Sequence, residues 1–229
     1  MKVRYRIFMM LALALPISAA ADKPNPDPLE GVNRATHGLN NIVDKVLFKP
    51  LAKGYQWAVP NLIQIGVSNF FSNLDEINNA TNNILQGKPK AGLSDLARLL
   101  LNTTMGVGGL LDPASTVGLV RHNEDLGQTL RVWGIPKGPY LVIPILGPST
   151  LTDFLSLPVD SRTDPMLYYT PTRDRNYLLA TNLIDIRADF LSAEKLVFGD
   201  RYIFFRDAYL QRREYLAKDG KVEDVFDDF

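Results

Sequence analysis

The strongest constraint on this chain is the absence of any long apolar run. After residue 21 no uninterrupted apolar stretch approaches the ~18 residues that mark a transmembrane helix, yet hydrophobic residues make up 46% of the sequence. Such a chain must pack amphipathic helices against one another or lay their apolar faces along a membrane. The periodicity points to helices. Leu39, Ile42, Val43, Val46 and Leu47 fall at i, i+3, i+4, i+7 and i+8, a single stripe that Pro50 ends or kinks. A second helix is expected over 61–74, with Leu62, Ile65, Phe70 and Leu74 at roughly helical spacing. Asn73, Asn78, Asn79, Asn82 and Asn83 then crowd a segment that reads as helix ends and a turn. Lys88-Pro89 breaks the chain, and Ser94 is placed to cap a leucine-rich helix over 95–104. Helices over 177–198 and 201–217 close the fold.

Between these helices the character changes. Leu130 and Val132 alternate with polar residues, 134–139 is turn chemistry, and Tyr140-Leu141-Val142-Ile143 is a short β-prone run. Together they predict a β-hairpin over 129–146, closed by Pro144 and Gly147-Pro148. Its apolar residues, Trp133 and Ile135 included, lie near the turn, where a solvent-exposed hairpin would avoid them. The fold expected is all-α in essence, one mainly helical domain with a single short hairpin.

The ends of the chain read as an address and a tail. Lys2, Arg4 and Arg6 precede the apolar run 7–17, and Ser18-Ala19-Ala20-Ala21 supplies small residues, the layout of a signal peptide over 1–21 cleaved after Ala20 or Ala21. Its removal takes three of 25 basic residues and leaves 22 against 25 acidic ones, a net charge near −3. A proline-rich leader covers 22–32, the helical domain 33–217, and an acidic mobile tail 218–229. Balanced charge argues against a nucleic-acid partner, which calls for a basic face.

Little in the sequence carries covalent chemistry. There is no cysteine, which removes disulfides, thiolate nucleophiles and cysteine metal sites. No Gly-x-Ser-x-Gly elbow exists, and Ser149 with Thr150 reads as a helix cap. His122, in Arg121-His122-Asn123-Glu124-Asp125, belongs to a solvated turn with capping carboxylates, and His37 stands alone. Asp75-Glu76 reads as solvated surface. Gly106, Gly108 and Gly109 lack the lysine and the ribose-binding acid of a nucleotide loop and instead favour close backbone approach. No cofactor, no metal and no enzyme signature is expected. What is left is apolar area: wide helix faces with the aromatic pairs Phe70-Phe71 and Phe204-Phe205. They either form a buried helical core or contact lipid.

Several blocks of the sequence resemble the MlaA family, also called VacJ. They run in order from Asp27-Pro28-Leu29-Glu30-Gly31-Val32-Asn33-Arg34 through Val67-Ser68-Asn69-Phe70-Phe71-Ser72-Asn73-Leu74 and Leu101-Asn102-Thr103-Thr104-Met105-Gly106-Val107-Gly108-Gly109. Further blocks are Glu124-Asp125-Leu126-Gly127-Gln128-Thr129-Leu130, the run 138–150 and Arg206-Asp207-Ala208-Tyr209. The resemblance implies a ring-like, membrane-embedded helical domain in the inner leaflet of the Gram-negative outer membrane. It implies removal of mislocalised phospholipids from the outer leaflet through an amphipathic channel, hand-off to the periplasmic carrier MlaC, and association with a trimeric porin. On that reading Gly106, Gly108, Gly109, Trp133, Gly138, Pro139, Tyr140, Val142, Pro144 and Gly147 are candidates for channel or lipid contact, and Phe70 and Phe71 for the membrane rim. Family members are commonly acylated on a cysteine that this chain lacks, so retention by an apolar face and a porin is expected. The alternative is a soluble periplasmic lipid chaperone, and a further one is an envelope phospholipase.

Overall fold

Proline and capping chemistry set most helix starts. The computed structural model describes residues 27–220; the expected signal peptide, the first five residues of the leader and most of the tail lie outside them. Helix α1 (Glu30–Val43) begins three residues inside the expected leader. It runs through a π-helical turn, Asp44–Phe48, straight into α2 (Lys49–Ala58). Pro50 therefore does not end the helix; it follows directly on the π-helical turn, at the second position of α2. Pro60 precedes α3 (Asn61–Leu85), and Pro89 starts α4 (Pro89–Thr104). Ser94 lies inside α4, not at its cap, because Pro89 already supplies the start.

The asparagine-rich segment is not a turn. It is the C-terminal half of a 25-residue helix about 37 Å long, and its asparagines point inward. Asn73, Glu76, Asn79, Ala80 and Asn83 are buried along one face of α3. Asp95, Arg98 and Asn102 are buried on the facing side of α4, while Leu93, Leu96 and Leu100 of α4 are exposed. Arg98 Nε donates to Glu76 at 2.7 Å, and Asn83 Nδ2 donates to Asp95 at 2.7 Å. Glu76 is thus a buried ion-pair partner, and the solvated reading of Asp75-Glu76 fails for it. Satisfied buried polar groups of this kind register one helix against another, since a slip would orphan each of them.

After the short α5 (Pro113–Thr116), Asp125 caps α6 (Leu126–Val132), its carboxylate accepting from Gln128 N–H at 2.9 Å. Leu130 and Val132 are therefore helical. The hairpin is shifted one element on: β1 (Tyr140–Ile143) pairs antiparallel with β2 (Gly147–Thr150), Tyr140 opposite Thr150. Thr150 caps α7 (Leu151–Asp160), as the reading of Ser149 with Thr150 as a helix cap anticipates, although the periodicity marks no helix there. Helices α8 (Thr172–Ala193) and α9 (Arg201–Ala217) close the chain as the periodicity required.

The free edge of β1 is paired by side chains of α1. Asn33 Nδ2 donates to Tyr140 O at 3.0 Å and its oxygen accepts from Val142 N–H at 2.9 Å. One heptad on, Asn40 repeats the arrangement with Ile143 O at 2.9 Å and Ile145 N–H at 2.7 Å. Two amides on a helix thus stand in for a third strand. Below them Tyr140, Val142 and Tyr202 form a small core, with Tyr209 and Leu210 packed on it.

Neighbouring elements form a closed circuit. Helix α2 packs on α8, α8 on α3, and α3 on α4 and α6; α6 packs on α9, α9 on β2, β2 on β1, and β1 returns to α1. The architecture is a ring-like arrangement of helices with one hairpin, and no helix among the described residues is long and apolar enough to cross a membrane.

Candidate functional site

Polarity in this molecule is inverted. Among the described residues nine buried side chains are hydrophobic, four of them alanine, whereas twenty are polar or charged. Large hydrophobic residues stand outside: Trp57 is 89% exposed, Val46 75%, Leu62 74% and Phe198 77%. Single exposed apolar residues are ordinary on a protein in water; stripes along several helices above a charged interior are not. The leucine-rich faces are therefore not the core.

The hairpin, α6, α7 and α9 enclose a cavity of about 250 Å³. Its walls are Asp125, Ser149, Asp153, Ser156, Asp160, Tyr209 and Arg213 on the polar side and Ile143, Leu146, Pro148 and Leu157 on the apolar side. Arg213, reaching in from α9, donates to Asp125 at 2.9 Å and also to Asp153. Asp153 accepts in addition from Tyr209 OH at 2.7 Å and Thr150 Oγ1 at 2.7 Å. Asp160, at the C-terminal end of α7, accepts from Leu126 N–H at 3.0 Å.

The environment separates these acids. Burial alone would lift Asp125, but the Arg213 guanidinium overrides it and holds the carboxyl below its ordinary value. Asp160 has no such partner, and burial pushes it up. Burial and the Asp153 hydrogen bond raise Tyr209 as well. The cleft thus offers a fixed cation held by two carboxylates, a third acid that protonates more readily, and an apolar lip. Gly127 makes the packing possible, because a Cβ there would lie 2.3 Å from Asp153 Oδ1.

A second group carries similar information. Asp75 is open to solvent, yet surrounding protein desolvates it enough to raise its pKa to about 6, with Asp164 and Glu76 adding to the shift and Arg121 opposing it.

The residues singled out from sequence are distributed unevenly around this geometry. Leu146, Pro148 and Ser149 of the hairpin line the cleft, with Gly147 beside them at φ +87°. Tyr140 and Val142 are buried in the small core, because the edge they share with α1 is covered by Asn33, and so they offer no open surface to a ligand. Phe71 is buried at 5% and stacks edge-on with Phe70, which is half-buried. Trp133 is half exposed, its indole N–H donating to Leu85 O at 3.0 Å. Gly138 approaches Leu151, and Pro139 O accepts from Leu151 N–H at 3.0 Å, while Pro144 is exposed at the turn. Gly106 and Gly109 do serve close approach: a Cβ at 106 would meet two backbone oxygens at 2.4 Å, and one at 109 the Asn73 side chain at 2.8 Å. Gly108 is open, at φ +70°. His122 is no loose turn residue, since its Nδ1 lies 2.6 Å from the buried Asp95. Ser149 Oγ bonds to Thr150 O at 3.2 Å.

Arg213, Asp153, Asp160, Asn33 and Asn40 escaped sequence reasoning. The only available signal was spacing, Asn33 and Asn40 being seven apart on one helix face.

A ring of amphipathic helices with aliphatic stripes outside and ion pairs inside defines the class: a helical protein whose polar groups face one another and whose apolar faces are left outside. The chain belongs to the MlaA family: the MlaA lipoprotein model matches residues 25–216. It is 33% identical to the intermembrane phospholipid transport system lipoprotein MlaA of Escherichia coli K12, over 86% of this chain and 80% of that one. The Haemophilus influenzae protein of the same name is 31% identical over 86% of this chain and 81% of its own. An uncharacterised protein of Rickettsia prowazekii is 34% identical over 82% of this chain and 76% of its own. A solved structure described as the structural basis for maintenance of bacterial outer membrane lipid asymmetry superposes with a TM-score of 0.73. It is 35% identical, and the match covers 83% of this chain and 98% of that one.

Proposed function

We propose that this protein is an outer-membrane component of a phospholipid transport system. It lies in the inner leaflet, takes phospholipids mislocalised to the outer leaflet through a polar passage, and hands them to a periplasmic carrier such as MlaC. The observation that carries the reading is the inverted polarity, with Trp57, Leu62 and Val46 outside and Arg98, Glu76 and Arg213 inside. Acyl chains solvate the outer face at no loss of hydrogen bonding. A zwitterionic head group, which loses several kcal/mol if stripped bare in hydrocarbon, keeps polar partners along the inner wall.

The cleft between the hairpin and α9 fits the cationic part of such a head group in kind: Asp160, which has no guanidinium partner, for the amine, and Leu146 and Leu157 for the first carbons of the chains, while Arg213 is engaged by Asp125 and Asp153. Transfer on this reading breaks no covalent bond. Retention rests on the apolar outer face and on a trimeric porin, since none of the 229 residues is cysteine.

The test is complementation in a Gram-negative host lacking its own family member. Expression of the chain restores the low outer-leaflet phospholipid of the parent and its resistance to detergent. A protein that folds, reaches the envelope and leaves surface phospholipid unchanged overturns the proposal.

A further inference from the structure

A second cavity, of about 540 Å³, opens between α2 and the junction of α8 with α9. Four of its lining residues are basic: Lys49, Lys53, Lys195 and Arg201. Glu194 is its one acid, and three cations already share that carboxylate: Lys49 at 2.6 Å, Arg187 at 2.7 Å and Arg201 at 3.3 Å. Burial would lift Glu194, but these contacts hold it below its ordinary value, so it stays charged and consumed. Two donors are left over. Arg201 Nε in the cleft wall, and Nη1 of Arg187, which reaches the same Glu194 carboxylate from outside the lining, are buried and have no hydrogen-bond partner. Lys53 and Lys195 form no ion pair among the described residues. Such an excess of positive charge in a chain whose expected mature charge is negative is not solvation of a surface; it is a site short of an anion.

We propose that this cleft binds a phosphate group, carried on the head group of an acidic lipid or free in solution. The donor set matches the ligand, with the Arg201 guanidinium for the phosphate oxygens and lysines as point charges beside it. Its surroundings match a lipid source: Trp57 stands one turn beyond Lys53, and Leu196 and Phe198 follow Lys195, all three exposed, as where basic pockets meet head groups at an apolar boundary. This goes beyond the transport reading and does not use the Arg213 cleft.

The test uses the purified full chain in non-ionic detergent at low salt, with calorimetric titration of two probes, inorganic phosphate and water-soluble dihexanoyl phosphatidylglycerol. Dihexanoyl phosphatidylcholine, which carries no net charge, is the control. The variant K53Q/K195Q removes two charges that hold no other group, so its fold, checked by circular dichroism, is kept. Both anionic probes are expected to bind the parent, to weaken about tenfold in the variant, and to weaken with salt. Tighter binding of the lipid assigns the site to a head group, and equal binding assigns it to a soluble phosphate. Affinities unchanged by K53Q/K195Q, or phosphatidylcholine binding as well as phosphatidylglycerol, overturn the proposal. Binding is read without transport, so failed complementation leaves this result standing and the two readings fall separately.

Discussion

At the scale of single residues, the interior of this protein is held by charge and amide groups whose loss is not shared by neighbours. Arg213 is 9% exposed and compensates both Asp125 and Asp153. Arg213→Met keeps the volume and strands two carboxylates, so stability should drop by about 3–5 kcal/mol, read as a lower thermal midpoint in detergent. Substituting Arg162, an exposed arginine with no ion pair among the described residues, should change little. Asp75 offers a signed test by pH. Its folded pKa, raised to about 6 from 3.8, means that between those values the native state binds more protons than the unfolded chain. The contribution of Asp75 to stability therefore falls as pH rises from about 4 to 6 and is flat above. D75N should remove that slope, stabilising the protein at pH 7 and not at pH 4; an identical slope in the variant would sink the assignment. None of this was visible in the sequence, where Asp75-Glu76 and Arg213 look like any surface charges, because burial is a property of the neighbours and not of the residue.

At the scale of elements, periodicity carried the helices and capping carried their starts. The stripe 39–47, the helix over 201–217 and the glycine contacts at 106 and 109 were all legible. Two readings went astray, each for its own reason. Asparagine disfavours helix interiors in water because its side chain competes for the backbone, so 73–83 looked like a turn; in α3 those side chains are occupied by Glu76, Thr103, Asp95 and Glu124 and the competition disappears. The hairpin slipped by one element because Leu130 and Val132 alternate over too short a span to separate strand from helix. The α1–β1 clamp makes this concrete. Asn33→Ala leaves Val142 N–H and Tyr140 O without their partner in a buried place, for about 1–3 kcal/mol. Hydrogen exchange should locate the damage: the Val142 amide loses protection while helix α9 keeps its own until global unfolding.

At the scale of the whole molecule, the sequence admitted a greasy core and a greasy surface equally, because helical periodicity records that a face is apolar and not which way it turns. The inward partners decide it. Arg98, Glu76, Asn83 and Asp95 satisfy one another across α3 and α4, which leaves Leu93, Leu96 and Leu100 no direction but out. The consequence separates folding from residence in lipid. Trp57, Leu62 and Ile63, at 89%, 74% and 55% exposure, contribute little to the fold, but each gains about 1.5–3 kcal/mol when moved from water into an apolar phase. Replacing the three with glutamine should leave the thermal midpoint in detergent nearly unchanged and shift the protein from the membrane to the soluble fraction, with the largest shift where no porin is present. In an ordinary globule the result would invert: the midpoint would fall and the partition would stay, because side chains packed in a core report on folding and side chains facing acyl chains report on the bilayer.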